Sequence, residues 1–356
     1  MGRTAVAQCF PSSPEVLQIN GHTYKVLTRL GEGGFSMVYL VRDITSMEEF
    51  AVKKIRCAAG TDGYYLAMRE VDMYRRFRHS GIINSTSAPA VDQTVYMFLP
   101  YYRRGNLQDW IQTERLEGAA MAEPALLRLF RQICEAVQAM HEYHAEGELP
   151  ALSQSHTNTS GGGSATSSST VSPPLSSGDG EAGDSSAVES YKRASDGLLI
   201  TPYAHRDIKP ANIMLRDDGI TPVLMDLGSS RKARVYIANR QMALQEQDDA
   251  AEHCSMPYRA PELFDVPTDT TLDEKVDIWS LGALLYALAY GPSPFESQMN
   301  EQGGSIALAV MNGKYTIPAS DPYSPVVSKL IKSMLVTDPA QRPNIRDILP
   351  ILDRAI

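Results

Sequence analysis

The stretch "HRDIKPANIML", residues 205–215, puts Asp207, Lys209 and Asn212 into one short loop that runs on into a strand-like segment. An aspartate can accept a hydroxyl proton, a lysine two residues on can neutralise a phosphate, and an asparagine amide oxygen can ligate a divalent cation. "MDLGS" at 225–229 adds Asp226, a second oxygen ligand for a hard cation such as Mg2+, next to a glycine that lets the chain turn. Each residue alone could be a cap or a turn. The ordered set argues for phosphoryl chemistry.

Two upstream features gain meaning from this loop. "LGEGGFSMV", Leu30 to Val38, is a glycine-rich turn between two strand-like runs, in which Gly31 and Gly33 allow the backbone N–H groups to approach a phosphate. By itself it would be read as a plain hairpin. "FAVKKI" then sets Lys53 on a strand beside Ala51 and Val52, where a buried ammonium needs a partner; Glu70, on the next helical pattern, offers one.

From Tyr24 to Leu99 the chain reads as strands ("YKVLTRL", "MVYLVRD", "EEFAVKKI", "TVYMFLP") with one helical pattern, "YYLAMREVDMYRRF". After "RRGNL" helices take over, led by "EPALLRLFRQICEAVQAMHEYH"; short strands at "IMLR" and "PVLMD" follow, and helices are predicted from Thr271 to the end. The fold class is therefore α+β, a strand-rich lobe followed by a helix-rich one. Between them and the catalytic loop lies "SHTNTSGGGSATSSSTVSPPLSSGDG", 155–180, whose composition predicts disorder. With its flanks it forms an insert over 145–201.

The formal net charge of −9 and the lack of a clustered Lys/Arg excess argue against nucleic-acid binding. Cys9, Cys57, Cys134 and Cys254 are far apart, which disfavours a zinc site or a disulfide framework and fits a reducing cytosol. The longest apolar run, "LGALLYALAY" from Leu281, is too short to cross a bilayer and reads as a buried helix.

Taken in order, Gly31 to Val38, Lys53, Glu70, His205-Arg206-Asp207, Asn212, Asp226-Leu227-Gly228, "YRAPE" (258–262), "DIWSLG" (277–282) and Arg342 in "DPAQRP" resemble the motifs of the eukaryotic protein kinases. "LGEGGFSMVYLV", "MREVDM", "VLMDLGS" and "DEKVDIWSLGALLYAL" are similar to the Numb-associated kinase group and its myristoylated and palmitoylated serine/threonine branch. The resemblance implies a bilobal fold: a tail over 1–20, then a kinase domain over 21–356 with an N-lobe at 21–101 and a C-lobe at 102–356, interrupted by the insert.

It also implies ATP and Mg2+ as cofactors and assigns roles. Lys53, paired with Glu70, would hold the α- and β-phosphates; Asn212 and Asp226 would bind Mg2+; Asp207 would orient and deprotonate the acceptor hydroxyl, with Lys209 beside it. Leu30, Gly31, Gly33, Ser36 and Val38 would cover the nucleotide. Ala51, Val38 and Met214 would sandwich the adenine, with Leu99 as gatekeeper. Pro100 to Tyr102 would be the hinge, Pro100 giving only its C=O and Tyr102 its N–H. Ser36 replaces a commoner glycine and Leu227 a commoner phenylalanine, and neither removes a catalytic group.

Lys209, and Ser255 in the position facing Asp207, imply serine/threonine protein acceptors. Arg206 is a candidate partner for a phosphate on Ser229 or Ser230, unless "ANRQMALQEQDDAAEHC" forms a helix that makes phosphorylation unnecessary. Gly2 and Cys9 are candidate lipidation sites, although position 6 is valine where the myristoylation signal prefers serine or threonine. The expected location is the cytoplasm, peripherally on Golgi, endosomal or vacuolar membranes. The rival readings are a pseudokinase-like scaffold and a small-molecule kinase.

Overall fold

The computed structural model describes residues 15–33, 36–58, 60–91, 93–116, 120–144, 191–192, 197, 199–296 and 304–356. Gly2, Cys9 and the Ser/Gly-rich stretch lie outside the described residues.

The N-lobe is a six-stranded antiparallel sheet built from β1 (Val16–Ile19), β2 (His22–Gly33), β3 (Ser36–Asp43), β4 (Glu49–Arg56), β5 (Ala90–Val91) and β6 (Thr94–Pro100), in the order β1-β2-β3-β4-β6-β5. The register decides which side chains share a face. Val38 pairs with Lys53 and Lys53 with Met97; Leu40 pairs with Ala51 and Ala51 with Leu99. With a side-chain period of two, these residues and Gly31, opposite Val38, fall on one face. Val41, Val52 and Phe98 fall on the other, in a small apolar cluster with Leu17 and Ile19. The same alternation thus gives β4 an outer structural face and an inner face carrying Lys53.

Helix α1 (Asp62–Arg76) packs beneath this sheet, its first turn capped by the Thr61 hydroxyl accepting from the Tyr64 N–H. Val71, Tyr74 and Phe77 are buried in a core continuous with that of the C-lobe. The chain then forms α2 (Leu107–Leu116) and α3 (Glu123–His141), where Leu126, Leu127, Phe130, Ile133, Val137 and Met140 recur at helical spacing and are all buried. It is described again at β7 (Tyr191–Lys192) and β8 (Leu199–Ile200), which pair with each other. The Thr201 N–H donates to the Tyr143 C=O at 2.8 Å, so the chain leaves and rejoins the C-lobe at one place.

The catalytic-loop region carries β9 (Tyr203–Ala204), β10 (Ile213–Leu215), β11 (Pro222–Leu224) and β12 (Arg231–Lys232). The pairs are β10 with β11 and β9 with β12. After β13 (Val235–Ile237) comes α4 (Arg240–His253), capped by Asn239. The sequence predicts helices from Thr271 onward, and here the structure differs. Thr270–Leu272 is a strand, β14, paired with β13, because the β-branched threonines sit opposite Val235–Ile237 before the helix can start.

The predicted buried helix is α5 (Lys275–Tyr290), with every residue from Val276 to Leu288 buried. Among the described residues no helix is long and apolar enough to cross a membrane. Among the described residues, α6 (Ile306–Met311), α7 (Pro325–Met334) and α8 (Ile345–Ala355) follow in the lobe.

α5 and α7 approach closely at Gly282, where an added Cβ would lie 2.9 Å from Met334 Cβ and from Leu335 Cγ. Overpacking of this kind costs about 1–3 kcal/mol. Gly282→Ala is therefore expected to lower the unfolding free energy by that amount, measured by equilibrium denaturation.

Candidate active site

The catalytic loop is held from behind by a single buried carboxylate. Asp277, fully buried in the first turn of α5, accepts from the backbone N–H groups of His205 (2.7 Å) and Arg206 (2.8 Å), and His141 Nε2 lies 2.9 Å away. Burial alone would push this carboxyl up, but the His141 hydrogen bond and the Arg206 backbone N–H help to more than reverse it, so its pKa lies below the usual carboxylate range. The stability it lends is therefore present above that range and lost as pH falls through its lowered value. Arg206, with φ of 68°, and Asp226, with φ of 60°, are both left-handed without being glycine; such backbone persists where surrounding bonds hold it, as at functional sites.

Asp207 stands at the end of this support. Its Oδ2 accepts from Asn212 Nδ2 at 2.8 Å and lies 2.7 Å from Lys209 Nζ; its Oδ1 accepts from the Ser255 N–H at 2.8 Å. Lys209 Nζ also donates to Ser255 Oγ at 2.5 Å. The loop residues and the serine from the far end of α4 thus meet around one carboxylate. Because Asn212 spends its Nδ2 on Asp207, its Oδ1 is the atom that remains as an acceptor.

Lys53 Nζ lies 2.6 Å from Glu70 Oε1, joining β4 to α1. Burial by itself would lower the Lys53 ammonium, but the Glu70 and Asp226 carboxylates outweigh it and hold its pKa above the usual value. It is a charged donor reaching toward Asp226. Leu227 is fully buried beside that aspartate, filling the place where the sequence departs from phenylalanine.

The residues expected from the sequence to line a nucleotide site are distributed as follows. Leu30, Gly31 and Gly33 lie on β2, Ser36 and Val38 on β3, and Gly33 pairs directly with Ser36 across the hairpin whose tip, 34–35, is outside the described residues. Ala51 is on β4, Leu99 is buried near the end of β6, and Pro100 closes that strand. Tyr102 follows, half-buried, where the chain passes between the lobes. Met214 approaches from below on β10 and bridges to Asn106.

These residues fit Mg·ATP. Among the described residues no group of three or more His, Cys, Asp or Glu side chains could hold a metal ion by itself. A pair of oxygen donors, Asp226 and Asn212, suits a cation that takes its remaining ligands from phosphates and water, as Mg2+ does.

Some functional residues escape a motif reading. Tyr74, fully buried on α1, the helix that carries Glu70, belongs to the same core as Leu227. His141 and Asp277 support the loop from helices separated by 136 residues in sequence. Ser229 and Ser230 need a correction. Both are buried, at 8% and 1% exposure, and Ser229 Oγ donates to the His205 C=O at 2.8 Å. They are not free to receive a phosphate, and Arg206 pairs instead with Glu246 at 2.6 Å.

A comparison with known families matches the protein kinase domain to residues 24–145 and 201–351, on both sides of the insert. The chain belongs to the protein kinase family. This kinase is similar to serine/threonine-protein kinase ppk13 of Schizosaccharomyces pombe, with 34% identity over 96% of this chain and 93% of the relative. It is also similar to serine/threonine-protein kinase ENV7 of Saccharomyces cerevisiae, with 32% identity over 97% and 95%. Human serine/threonine-protein kinase 16 shares 34% identity over 98% of this chain and 94% of its own length. Membership of the family implies use of ATP and Mg2+.

Proposed function

We propose that this kinase transfers the γ-phosphoryl group of ATP to serine and threonine hydroxyls of proteins. The observation that carries the reading is Asp207, held between Asn212, Lys209 and the Ser255 N–H while Lys53 is paired with Glu70. When bound, Mg·ATP supplies the transferable phosphoryl group and the cation that offsets its charge. Asn212 and Asp226 are the residues that would hold the metal. The chain's own residues do the rest. Glu70 fixes Lys53 where it can meet the phosphates. Asp207 orients the acceptor hydroxyl and takes its proton on a carboxylate oxygen, and Lys209 offers positive charge beside it.

The serine/threonine acceptor class is supported by Lys209 bonded to Ser255 and by the names of the similar kinases. A pseudokinase scaffold would require the loss of a catalytic group, and Lys53, Asp207, Asn212 and Asp226 are all present. The finer reading is a member of the Numb-associated group, in its myristoylated and palmitoylated branch, working peripherally at endomembranes with Gly2 and Cys9 as the acylated residues. One acyl chain binds a membrane only marginally, so both sites would be needed for stable attachment.

The test offers γ-labelled ATP and Mg2+ to the purified kinase with a panel of protein, lipid and sugar acceptors. Label confined to protein is expected. Label on lipid or sugar alone would move the chain to the small-molecule kinases. For the location, Gly2→Ala and Cys9→Ser are each expected to shift the protein from the membrane fraction to the soluble one.

A further inference from the structure

Met47 combines two costs at one position. Its φ of 63° is left-handed, a conformation that glycine or asparagine adopts with less strain, and the residue is 61% exposed. Among the described residues that have positive φ without being glycine, it alone is apolar. Three residues earlier, on the same turn between β3 and β4, Ile44 is 55% exposed. The residues between them, Thr45 and Ser46, carry no charge. Folding and catalysis account for neither apolar side chain: both lie outside the apolar cores, at the end of β3 opposite Ser36.

The turn satisfies its own backbone donors. Ile44 N–H donates to the Thr23 C=O, those of Thr45 and Ser46 to Asp43 Oδ1, that of Met47 to the Asp43 C=O and that of Glu48 to Ser46 Oγ. A backbone whose N–H groups are all paired enters a lipid interface at far less cost than one that must shed water from them. The same bonds hold the turn in shape, so its two apolar side chains need little further ordering to bind.

The path of the chain points to the occupant. The Val26 N–H donates to the Glu15 C=O, and Val26 pairs with Val41, so the N-terminal tail joins the sheet two residues from the level of Asp43 and five from that of Ser36. Cys9 precedes Glu15 by six residues, a span of at most about 22 Å. An acyl chain on Cys9 would therefore bring a bilayer to this end of the sheet, beside the turn.

We propose that Ile44 and Met47 form a second membrane contact, entering the boundary between headgroups and acyl chains while the acylated tail anchors the protein. The proposal rests on the reading of Gly2 and Cys9 as acylated residues, and goes beyond it by naming the surface of the folded domain that meets the lipid. Exposed charges near the turn are of both signs, Lys25 and Arg103 against Glu15 and Glu48. Burial of apolar surface, rather than attraction to anionic lipid, thus supplies the contact. Ser36 lies seven residues back along β3, about 23 Å at the rise of a strand, which keeps the glycine-rich hairpin clear of the bilayer.

The experiment uses the full chain purified from eukaryotic cells, its acyl groups identified by mass spectrometry, and vesicles of neutral phosphatidylcholine. Partition is measured by co-sedimentation, and kcat on a soluble protein substrate checks that each variant is folded. Ile44→Ser and Met47→Asn are each expected to weaken partition about five- to tenfold, and the double variant more than either, with kcat unchanged. Ile220→Ser removes a side chain from a residue 71% exposed on the turn between β10 and β11, and is expected to partition as wild type. Met47→Trp is expected to add fluorescence that lipid with brominated acyl chains quenches.

Acylated protein whose partition is unchanged by Ile44→Ser and Met47→Asn would overturn the proposal and leave the acylation reading standing. So would Ile220→Ser as impaired as they are. Variants that leave the membrane fraction of cells yet bind vesicles like wild type would also overturn it, by seating the turn on a membrane protein. Gly2 and Cys9 found without acyl groups would contradict the acylation reading, and the proposal would fall with it.

Discussion

Asp207→Asn is expected to lower kcat by about 10²- to 10⁴-fold, the range over which a positioned general base contributes. The substitution keeps the side-chain size and leaves an oxygen for Asn212 and Lys209 to meet. It removes the charge that Lys209 faces at 2.7 Å and the oxygen able to take the acceptor's proton. The loss should appear in kcat while KM for ATP changes little, because Lys53, Glu70 and Asp226 are untouched. Steady-state kinetics with a protein substrate, alongside a thermal unfolding curve, checks this. A kcat within a few-fold of wild type in a folded variant would remove Asp207 from the reaction.

The largest expected effect on stability is at Arg342. Its guanidinium is buried, bonded to both oxygens of Glu262 at 2.7 Å, and donates as well to the backbone C=O groups of Lys275, Val336 and Thr337. It also lies over the Trp279 ring, 5.1 Å from the centroid. Arg342→Ala leaves Glu262 and three carbonyls without their donor, and breaking a buried pair from one side costs about 3–5 kcal/mol. Arg342→Lys should recover little, since a point charge cannot reproduce a planar fork of donors. Equilibrium denaturation measures both. An Arg342→Ala midpoint close to wild type would mean that the network contributes no net stability.

The two lobes and the reacting groups were legible because their signals are local. "HRDIKPANIML" carries Asp207, Lys209 and Asn212 in one loop, and the alternation of β4 with its neighbours puts Lys53 on the inner face. Glu70 could be named as the lysine's partner because a buried ammonium demands one. The supporting shell was less legible, because its members meet across long stretches of chain. Asp277 receives backbone N–H groups more than 70 residues away, and no side-chain pattern near either end announces the bond. The β13–β14 pair joins two three-residue strands, too short for periodicity to separate from the helix that follows. Ser229 and Ser230 look like exposed serines in a polar segment, and only the fold reveals that the chain turns them inward.

The most direct test of the central claim is phosphoamino-acid analysis of a protein substrate incubated with γ-labelled ATP, Mg2+ and either wild-type protein or Asp207→Asn. The account predicts labelled phosphoserine and phosphothreonine with the wild type and almost none with the variant. Label only on tyrosine, no label at all, or equal label from both proteins would contradict it.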